Sequence, residues 1–244
     1  MKEEMARRMG SVSLATPGWR RPVRTEILEE KVIQEQLRQV KETIVYGLHQ
    51  LLDLKDLNTG VHSTRLAEWA VRVAEALGVD ESYQYDVEVA ALLHDIGKIG
   101  VPDAILNKPG RLDAEERAVI DRHPEYGWAV LRLLPGFERV SLFVLHHHER
   151  VDGKGYPAGL QGEEIPLGSR IVCVVDCFDA MVSDRCYRPA LSLDESVRRL
   201  QAGSGTQWDA EIVRLFLPLA LQELSEVSKI VEPPVLASSL IVSS

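Results

Sequence analysis

Cysteine is scarce in this chain of 244 residues, which contains three: Cys173, Cys177 and Cys186. The number is odd and no paired CxxC spacing occurs, so neither a disulfide framework nor a cysteine-rich zinc site is indicated. Cys173 and Cys177 are four residues apart on a predicted helix. We interpret the three thiols as packing groups of a protein that works in a reducing compartment.

A long apolar run is also missing. No stretch of about 18 uncharged apolar residues occurs, and the most apolar segment, residues 171–182, contains Asp176 and Asp179. A transmembrane helix is therefore not predicted. The N-terminus carries Glu3 and Glu4 but no apolar core of the kind found in secretory signals, so we expect a cytoplasmic protein without a membrane partner.

A basic tract is the third absence. Lysine and arginine number 28 against 37 aspartates and glutamates, and the formal net charge is −9. No run of basic residues with interleaved aromatics occurs, so long DNA or RNA is not an expected ligand. A small phosphorylated ligand remains compatible with this charge, because bound divalent cations reverse the local field.

Strand signals are few, and the predicted class is all-α. Residues 1–24 are interpreted as a poorly ordered leader and residues 226–244 as a frayed tail. Residues 25–55 show helical periodicity and predict one long amphipathic helix, which could pack on the domain or pair with a second subunit. The main domain is assigned to residues 56–225, with a loop or small hairpin at residues 156–165, where glycine and proline are dense.

Several helix ends can be read from capping residues. Gly78 has the form of a left-handed C-cap, and Pro135-Gly136 separates two helices. Capping residues are predicted at three helix starts, with a capping box at Asp113–Glu116, another at Ser192–Glu195, and a single cap at Asp209.

Histidines and aspartates form the set of residues that carries chemistry. Seven histidines occur, and all except His49 lie in or beside motif segments at helix ends or in turns. Imidazoles mixed with carboxylates suit a pair of transition-metal ions better than a structural zinc. The alternative for each histidine alone is a core or surface residue, whereas Asp176, within an apolar helix, requires a metal, lysine or arginine nearby. The candidate residues are His62, His94, Asp95, His123, His147, His148 and Asp176.

Residues 57–215 closely resemble the HD-GYP domain, a branch of the HD phosphohydrolase superfamily. A bare His-Asp pair is weak support, but the ordered set of motifs over this length is very specific. The motifs are Asn58-Thr59-Gly60-Val61-His62, Leu92-Leu93-His94-Asp95-Ile96-Gly97-Lys98, Ile105-Leu106-Asn107-Lys108-Pro109-Gly110, His123-Pro124, His147-His148-Glu149-Arg150-Val151-Asp152-Gly153-Lys154-Gly155-Tyr156-Pro157, Asp176, and Ser183-Asp184-Arg185 with Tyr187 and Arg188.

The resemblance implies a helical bundle that holds two divalent ions, iron or manganese, and hydrolyses cyclic di-GMP. It also implies that a hydroxide bridging the two ions is the nucleophile. Asp95 would be shared by both ions. Carried over by position, one ion would be held by His62, His94, Asp95 and Asp176, and the other by Asp95, His123, His147 and His148.

The same resemblance implies roles for residues around the ions. Lys98, with Asp95 a predicted catalytic residue, would approach the scissile phosphate and stabilise its developing charge. Arg185 and Arg188 would contact the other phosphate or a guanine, for which the planar guanidinium is suited. Tyr156, in the Gly-Tyr-Pro loop, would face the ligand from the pocket wall.

The chain departs from the family pattern at three positions. Asn58 stands where some members have a glutamate that helps to bind a third ion, and an amide is a poor ligand for such a cation, so a two-metal site is predicted. Val151 replaces a common tryptophan and Cys186 a common proline, which we interpret as tolerable variation.

Three functions are compatible with this pattern. The first is a cyclic di-GMP phosphodiesterase that produces linear pGpG and could continue to GMP. The second is a signalling module that binds a cyclic dinucleotide or a protein partner with little catalysis, although degenerate members of this kind would lose ligands. The third is an HD hydrolase acting on another nucleotide, including a mixed cyclic dinucleotide. No receiver, PAS or GAF segment is visible before residue 55, so we expect regulation through a signalling protein partner, the N-terminal helix or a region outside this chain.

Overall fold

The computed structural model describes the backbone of residues 23–55, 60–184 and 189–231. These residues form helices and connecting turns, which confirms the predicted all-α class. Within the predicted hairpin region the described residues form no strand, and one isolated antiparallel bridge joins Asp152 to Gln161. The predicted leader lies almost wholly outside the described residues, as does the tail beyond residue 231.

Ten α-helices and two 3₁₀ turns are found in the described parts of the chain. The 3₁₀ turns are Ile96–Gly100 and Gly162–Glu164. The helices are α1 Val23–Lys55, α2 Gly60–Ala76, α3 Glu81–Leu93, α4 Asp103–Leu106, α5 Ala114–Ile120, α6 His123–Leu131, α7 Glu138–Leu145, α8 Leu167–Val182, α9 Leu193–Gly203 and α10 Ala210–Val231.

The predicted helix ends are found with one difference. Asp113 and Glu116 form a complete capping box at the start of α5. Ser192 accepts the backbone N–H of Glu195 at the start of α9, but the Glu195 carboxylate pairs with Arg198 and Arg199, whose charges compete for it. The second capping box is therefore only half formed.

Other caps follow the prediction. Asp209 Oδ1 accepts the N–H groups of Glu211 and Ile212 at 2.9 and 3.3 Å at the start of α10. Gly78 follows α2 with φ +73°, a conformation that an L side chain rarely adopts. Gly136 lies between α6 and α7 with φ +79°.

By packing, the chain divides into two units, Met1–Thr43 and Ile44–Ser244. In the first unit, the described side chains belong to α1 and include exposed Ile33, Leu37 and Val40. No helix in the described part of the chain is both long enough and apolar enough to cross a membrane.

Helix α8 is the centre of the second unit. It packs against α2, α3, α7, α9 and α10, and most of its side chains are buried. Phe178 of α8 meets Trp69 of α2 and Phe216 of α10 edge to face, with ring centroids 5.3 to 6.0 Å apart. Truncating one of these buried rings to alanine would cost about 3–5 kcal/mol. This packing places α8, and with it Asp176, at the core of the unit.

Candidate metal centre

Three helix ends place the histidines of the predicted site. His94 follows the last residue of α3, His123 is the first residue of α6, and His147 and His148 lie in the turn after α7. In a continuous helix, successive side chains point about 100° apart. Because α7 ends at Leu145, the turn lets both imidazoles reach one place.

Three of these imidazoles are oriented in the same way by the backbone. Each has its Nδ1 atom within hydrogen-bond distance of the carbonyl three residues earlier. The pairs are His94 with Ala91 at 2.7 Å, His123 with Ile120 at 2.8 Å, and His147 with Val144 at 2.6 Å. An Nδ1–H that donates to a carbonyl leaves the Nε2 lone pair available, which is the tautomer a metal ligand requires.

Three histidines converge on one point. His123, His147 and His148 have ligand atoms that all lie within 4.8 Å of one another. The Nε2 atoms of His123 and His147 are 3.3 Å apart. The rings of His147 and His148 are closer still, with centroids separated by 3.9 Å. Three lone pairs this close, from largely buried rings, form a fitting site for a divalent cation.

Asp95 lies between this trio and a second group of donors. Its Oδ1 is 3.2 Å from His123 Nε2, and its Oδ2 is 3.3 Å from His94 Nε2. Asp176, on α8, has its Oδ1 3.8 Å from the same His94 nitrogen. Each oxygen of Asp95 thus faces a different imidazole, as expected of a carboxylate able to bridge two cations.

Of the remaining predicted site residues, the structure describes the side chain of Lys98 but not those of His62, Arg185 and Arg188. Lys98 lies close to the centre, with its Nζ 2.6 Å from Asp95 Oδ2. His62 belongs to the first turns of α2, but its side chain is outside the described residues. Arg185 and Arg188 also lie outside the described residues, so their predicted contacts remain predictions.

Gly97 allows the turn after Asp95 to touch the start of α6. A Cβ atom built on Gly97 would overlap the carbonyl oxygen of His123. This direct backbone approach brings Asp95 and His123 together, since the two residues lie on either side of the contact. In the sequence Gly97 is only one residue of the His-Asp motif, and nothing local in the chain points to its tertiary contact.

Burial and neighbouring charge shift the pKa values within this centre in opposite directions. Burial and the adjacent histidines hold the pKa of His147 and of His148 well below the usual value of 6.5. For His94 burial would also lower the pKa, but the carboxylates of Asp95 and Asp176 overcome it and raise the pKa to about 9. Although burial would raise the pKa of Asp95, Lys98 and His94 lower it well below the usual value of 3.8.

Two carboxylates on α8 have different partners. Asp179 is buried and accepts from the Nε of Arg65 at 2.9 Å, and the Arg65 guanidinium also reaches Ser183 Oγ at 2.9 Å. Asp176, one turn earlier, faces His94. A metal, lysine or arginine partner was predicted for Asp176, whereas Arg65 pairs with Asp179, a carboxylate for which no partner was predicted.

The Gly-Tyr-Pro loop lines the same centre. The ring of Tyr156 packs on that of His148 with centroids 4.9 Å apart. Burial, followed by the charges of Asp121 and Asp95, raises the pKa of the Tyr156 phenol. The hydroxyl therefore stays protonated and can donate a hydrogen bond.

Glu149 was missed as a functional candidate, although its place between the histidine pair and the glycine-rich loop was a usable signal.

Comparison with known proteins identifies relatives over this whole region. The sequence profile of the HD domain family matches residues 47–212. The chain is 41% identical over 182 residues to a cyclic di-GMP phosphodiesterase of Thermotoga maritima, covering 74% of this chain and 49% of that protein. It is 42% identical over 172 residues to the cyclic di-GMP phosphodiesterase response regulator RpfG of Xanthomonas campestris pv. campestris, covering 70% and 46%.

A third relative differs in its named substrate. The 3'3'-cGAMP-specific phosphodiesterase 2 of Vibrio cholerae is 37% identical over 187 residues, covering 74% of this chain and 35% of that protein. The chain therefore spans about half or less of the length of the curated relatives it matches.

Solved structures share the fold at lower identity. The cyclic GMP-AMP-specific phosphodiesterase V-cGAP3 of V. cholerae matches with a TM-score of 0.55 and 22% identity, covering 77% of this chain and 52% of that one. The HD domain of the L. monocytogenes phosphodiesterase PgpH, in complex with cyclic-di-AMP, matches with a TM-score of 0.54 and 16% identity, covering 74% and 97%. These likenesses establish the helical fold around the centre.

Proposed function

Because the chain belongs to the HD domain family, in its HD-GYP branch, we propose that it is a metal-dependent phosphodiesterase that opens cyclic di-GMP to linear pGpG. The observation that carries the proposal is the convergence of His123, His147 and His148 beside Asp95. Relatives 41% and 42% identical to this chain are named as cyclic di-GMP phosphodiesterases, which supports the substrate.

The donor set fits two divalent ions of the iron or manganese type, since it combines neutral imidazoles with carboxylates. Asp95, His123, His147 and His148 would hold one ion, and His94, Asp95 and Asp176 the other, with His62 as the fourth ligand proposed from its motif. When bound, such ions supply positive charge that lowers the pKa of a nucleophilic water and neutralises charge developing on the phosphate.

The residues around the donors would bind and orient the nucleotide. Lys98, with its ammonium 2.6 Å from Asp95, would also bind a non-bridging phosphate oxygen and stabilise its charge in the transition state. Tyr156, whose phenol stays protonated, would donate a hydrogen bond or stack on a base from the pocket wall. Arg185 and Arg188 are proposed to contact the second phosphate or a guanine.

The direct test joins metal analysis to turnover. Purified protein would be assayed for iron and manganese, and then for cyclic di-GMP hydrolysis under anaerobic conditions with added Mn²⁺ or Fe²⁺. Asp95→Ala should abolish turnover while the circular dichroism spectrum stays helical. Asp194→Ala, which removes an exposed aspartate of α9, is the matched control and should leave turnover unchanged. Turnover that survives Asp95→Ala would refute the site and favour a binding module.

A mixed cyclic dinucleotide is a second candidate substrate, because a relative 37% identical to the chain is named as specific for 3'3'-cGAMP. Parallel assays with cyclic di-GMP, 3'3'-cGAMP and cyclic di-AMP would rank the three by kcat/KM. Product analysis in the same assays would show whether hydrolysis stops at pGpG or continues to GMP. A higher kcat/KM for 3'3'-cGAMP would replace the first proposal with the second.

Helix α1 is proposed to pair with α1 of a second copy of this chain. Ile33, Leu37 and Val40 are 55–63% exposed, and their spacing of four and three residues is that of a coiled-coil seam. Of the residues that would flank the seam, Gln34, Gln36 and Thr43 are uncharged and Lys41 carries a charge. Since the lysine would face a glutamine across a parallel pair, a second identical helix meets little repulsion there. A signalling protein partner remains the alternative occupant.

The free thiols of Cys173 and Cys177 support the proposal that the protein acts in the cytoplasm.

A further inference from the structure

Glu149 has a fully buried carboxylate that binds three successive backbone N–H groups. Its Oε1 accepts from Ala158 at 2.7 Å and from Gly159 at 3.1 Å, and its Oε2 accepts from Leu160 at 3.1 Å. The side chain has no accessible surface. A buried carboxylate is costly unless several donors satisfy it, and here three backbone donors come from one loop. The Nδ1 atom of His146 lies 3.6 Å from the same Oε1 atom. The carboxylate therefore fixes the backbone that follows Pro157.

The backbone before Pro157 is fixed from the same residues. The N–H of Tyr156 donates to the carbonyl of His148 at 3.3 Å. A Cβ built on Gly155 would overlap the backbone of Glu149 and Arg150, so this part of the loop lies directly against the chain after the histidine pair. The loop is closed further along by the bridge between Asp152 and Gln161.

Tyr156 is the side chain that these two attachments determine. It lies between the His148 carbonyl on one side and the carboxylate-bound residues 158–160 on the other, and its ring rests on the His148 ring. Glu149 is itself held at the core, because its carbonyl is 3.6 Å from Cys173 Sγ on α8. A continuous set of contacts thus runs from α8 through Glu149 to Tyr156.

We propose that Glu149 is a positioning residue, which acts through the Gly-Tyr-Pro loop to hold Tyr156 against His148 and so shapes the nucleotide pocket. Its effect on turnover rests on the proposed function, whereas its effect on the loop does not. Glutamine at this position keeps the shape but offers one acceptor oxygen and an NH₂ group that faces N–H donors. Glu149→Gln should therefore release the loop without removing any proposed metal ligand.

The experiment compares Glu149→Gln with Glu164→Gln. Glu164 is exposed, belongs to the same loop, and accepts the N–H of Gln161 at 2.9 Å, so it is a matched carboxylate away from Tyr156. Hydrogen exchange by mass spectrometry would follow residues 156–160 in both variants. The same preparations would be measured for metal content, Tm, kcat and KM with cyclic di-GMP. Both substitutions would also be made in a Tyr156→Ala background.

We expect Glu149→Gln to speed amide exchange at residues 158–160 and to raise KM about tenfold, with kcat and metal content within about twofold of the wild type. The KM effect should vanish in the Tyr156→Ala background, because Tyr156 is the residue through which Glu149 acts. Glu164→Gln should change neither KM nor exchange at residues 158–160.

The positioning role of Glu149 would be overturned if Glu149→Gln raised KM equally with and without Tyr156, or if amide exchange at residues 158–160 did not change. A fall in kcat with KM unchanged would also overturn it. If Glu149→Gln does not fold, Glu149→Asp, which keeps the charge but shortens the side chain, undergoes the same comparison. A wild-type protein that neither hydrolyses nor binds cyclic dinucleotides would refute the proposed function, and the exchange measurement would still support or overturn the positioning of the loop.

Discussion

The metal-centre region and helix α1 depart in opposite directions from the usual distribution of side chains. His147 is fully buried and His123 is 2% exposed, whereas the apolar Ile33 is 63% exposed. Buried imidazoles and exposed aliphatic side chains both carry a free-energy cost. In the first region, backbone carbonyls orient the rings and leave one nitrogen of each for a ligand. In the second, the regular spacing of exposed aliphatic side chains is the basis for the proposed pairing with another helix.

The two regions also depend on two kinds of sequence signal. The site depends on particular atoms at particular distances, so single substitutions there should have large effects. The α1 face depends on a repeated pattern, so each residue contributes a part. Three substitutions and one change of pH test this difference.

The largest effect is expected for His147→Ala, because His147 is the most buried member of the trio and lies 3.3 Å from His123. We expect loss of bound metal and a fall in turnover of roughly a thousandfold, as the remaining donors cannot hold the ion in place. Metal analysis and an anaerobic assay measure both quantities. His49→Ala, on α1, is the control, and unaltered metal content in His147→Ala would remove this residue from the site.

The next effect is expected for Gly97→Ala, because the added Cβ would overlap the carbonyl of His123. Forcing these backbones apart should cost about 2–4 kcal/mol of stability and weaken metal binding. Gly47→Ala on α1, where a Cβ meets open space, should instead stabilise the protein by about 0.5–1 kcal/mol. Chemical denaturation of both variants tests the pair, and equal effects would contradict the close approach at Gly97.

Acid should destabilise the metal-free protein at its centre. The pKa of His147 and of His148 is held well below the value of 6.5 expected in the unfolded chain. Below pH 6.5 the unfolded chain therefore binds more protons, and the free energy of unfolding falls by about 1.4 kcal/mol per pH unit for each group. His94 acts in another window: its pKa of about 9 stabilises the fold fully below pH 6.5, and this contribution is lost as the pH rises through 9.

Thermal melts of the metal-free protein between pH 7.5 and about pH 5 measure this dependence. We expect Tm to fall below pH 6.5 and to fall less steeply in a His147→Gln, His148→Gln double variant. A Tm that is level or rises on acidification would show that these rings accept protons in the folded state.

The smallest effect is expected for Leu37→Glu on α1. A charge in the centre of the proposed seam should weaken self-association at least about tenfold while the circular dichroism of the fold is retained. Light scattering across a concentration series measures the association. Gln39→Glu adds the same charge to the same helix away from the seam, and it should leave the molar mass measured by light scattering the same as that of the wild type. A monomeric wild type would exclude pairing of α1.

Prediction from the sequence succeeded where the cause is local. Asp113 and Asp209 cap helices as predicted because a side-chain oxygen two or three residues before an N–H group can reach it whatever the rest of the fold does. Glu195 differed because Arg198 and Arg199 on the same helix compete for its carboxylate. The order of the motifs was enough to identify the family, because the chemistry of the family requires particular residue types at particular spacings along the chain.

The sequence by itself determined the all-α class, the helix ends and the kinds of donor available, because these depend on neighbours within a few residues. Only the tertiary structure decided that Gly97 touches the backbone of His123 and that Arg65 pairs with Asp179. It alone also gave Glu149 its three partners in the loop. Such contacts depend on how α3, α6, α7 and α8 pack around a common core. Because the contacting residues are far apart in the chain, no local sequence pattern indicates which of them meet.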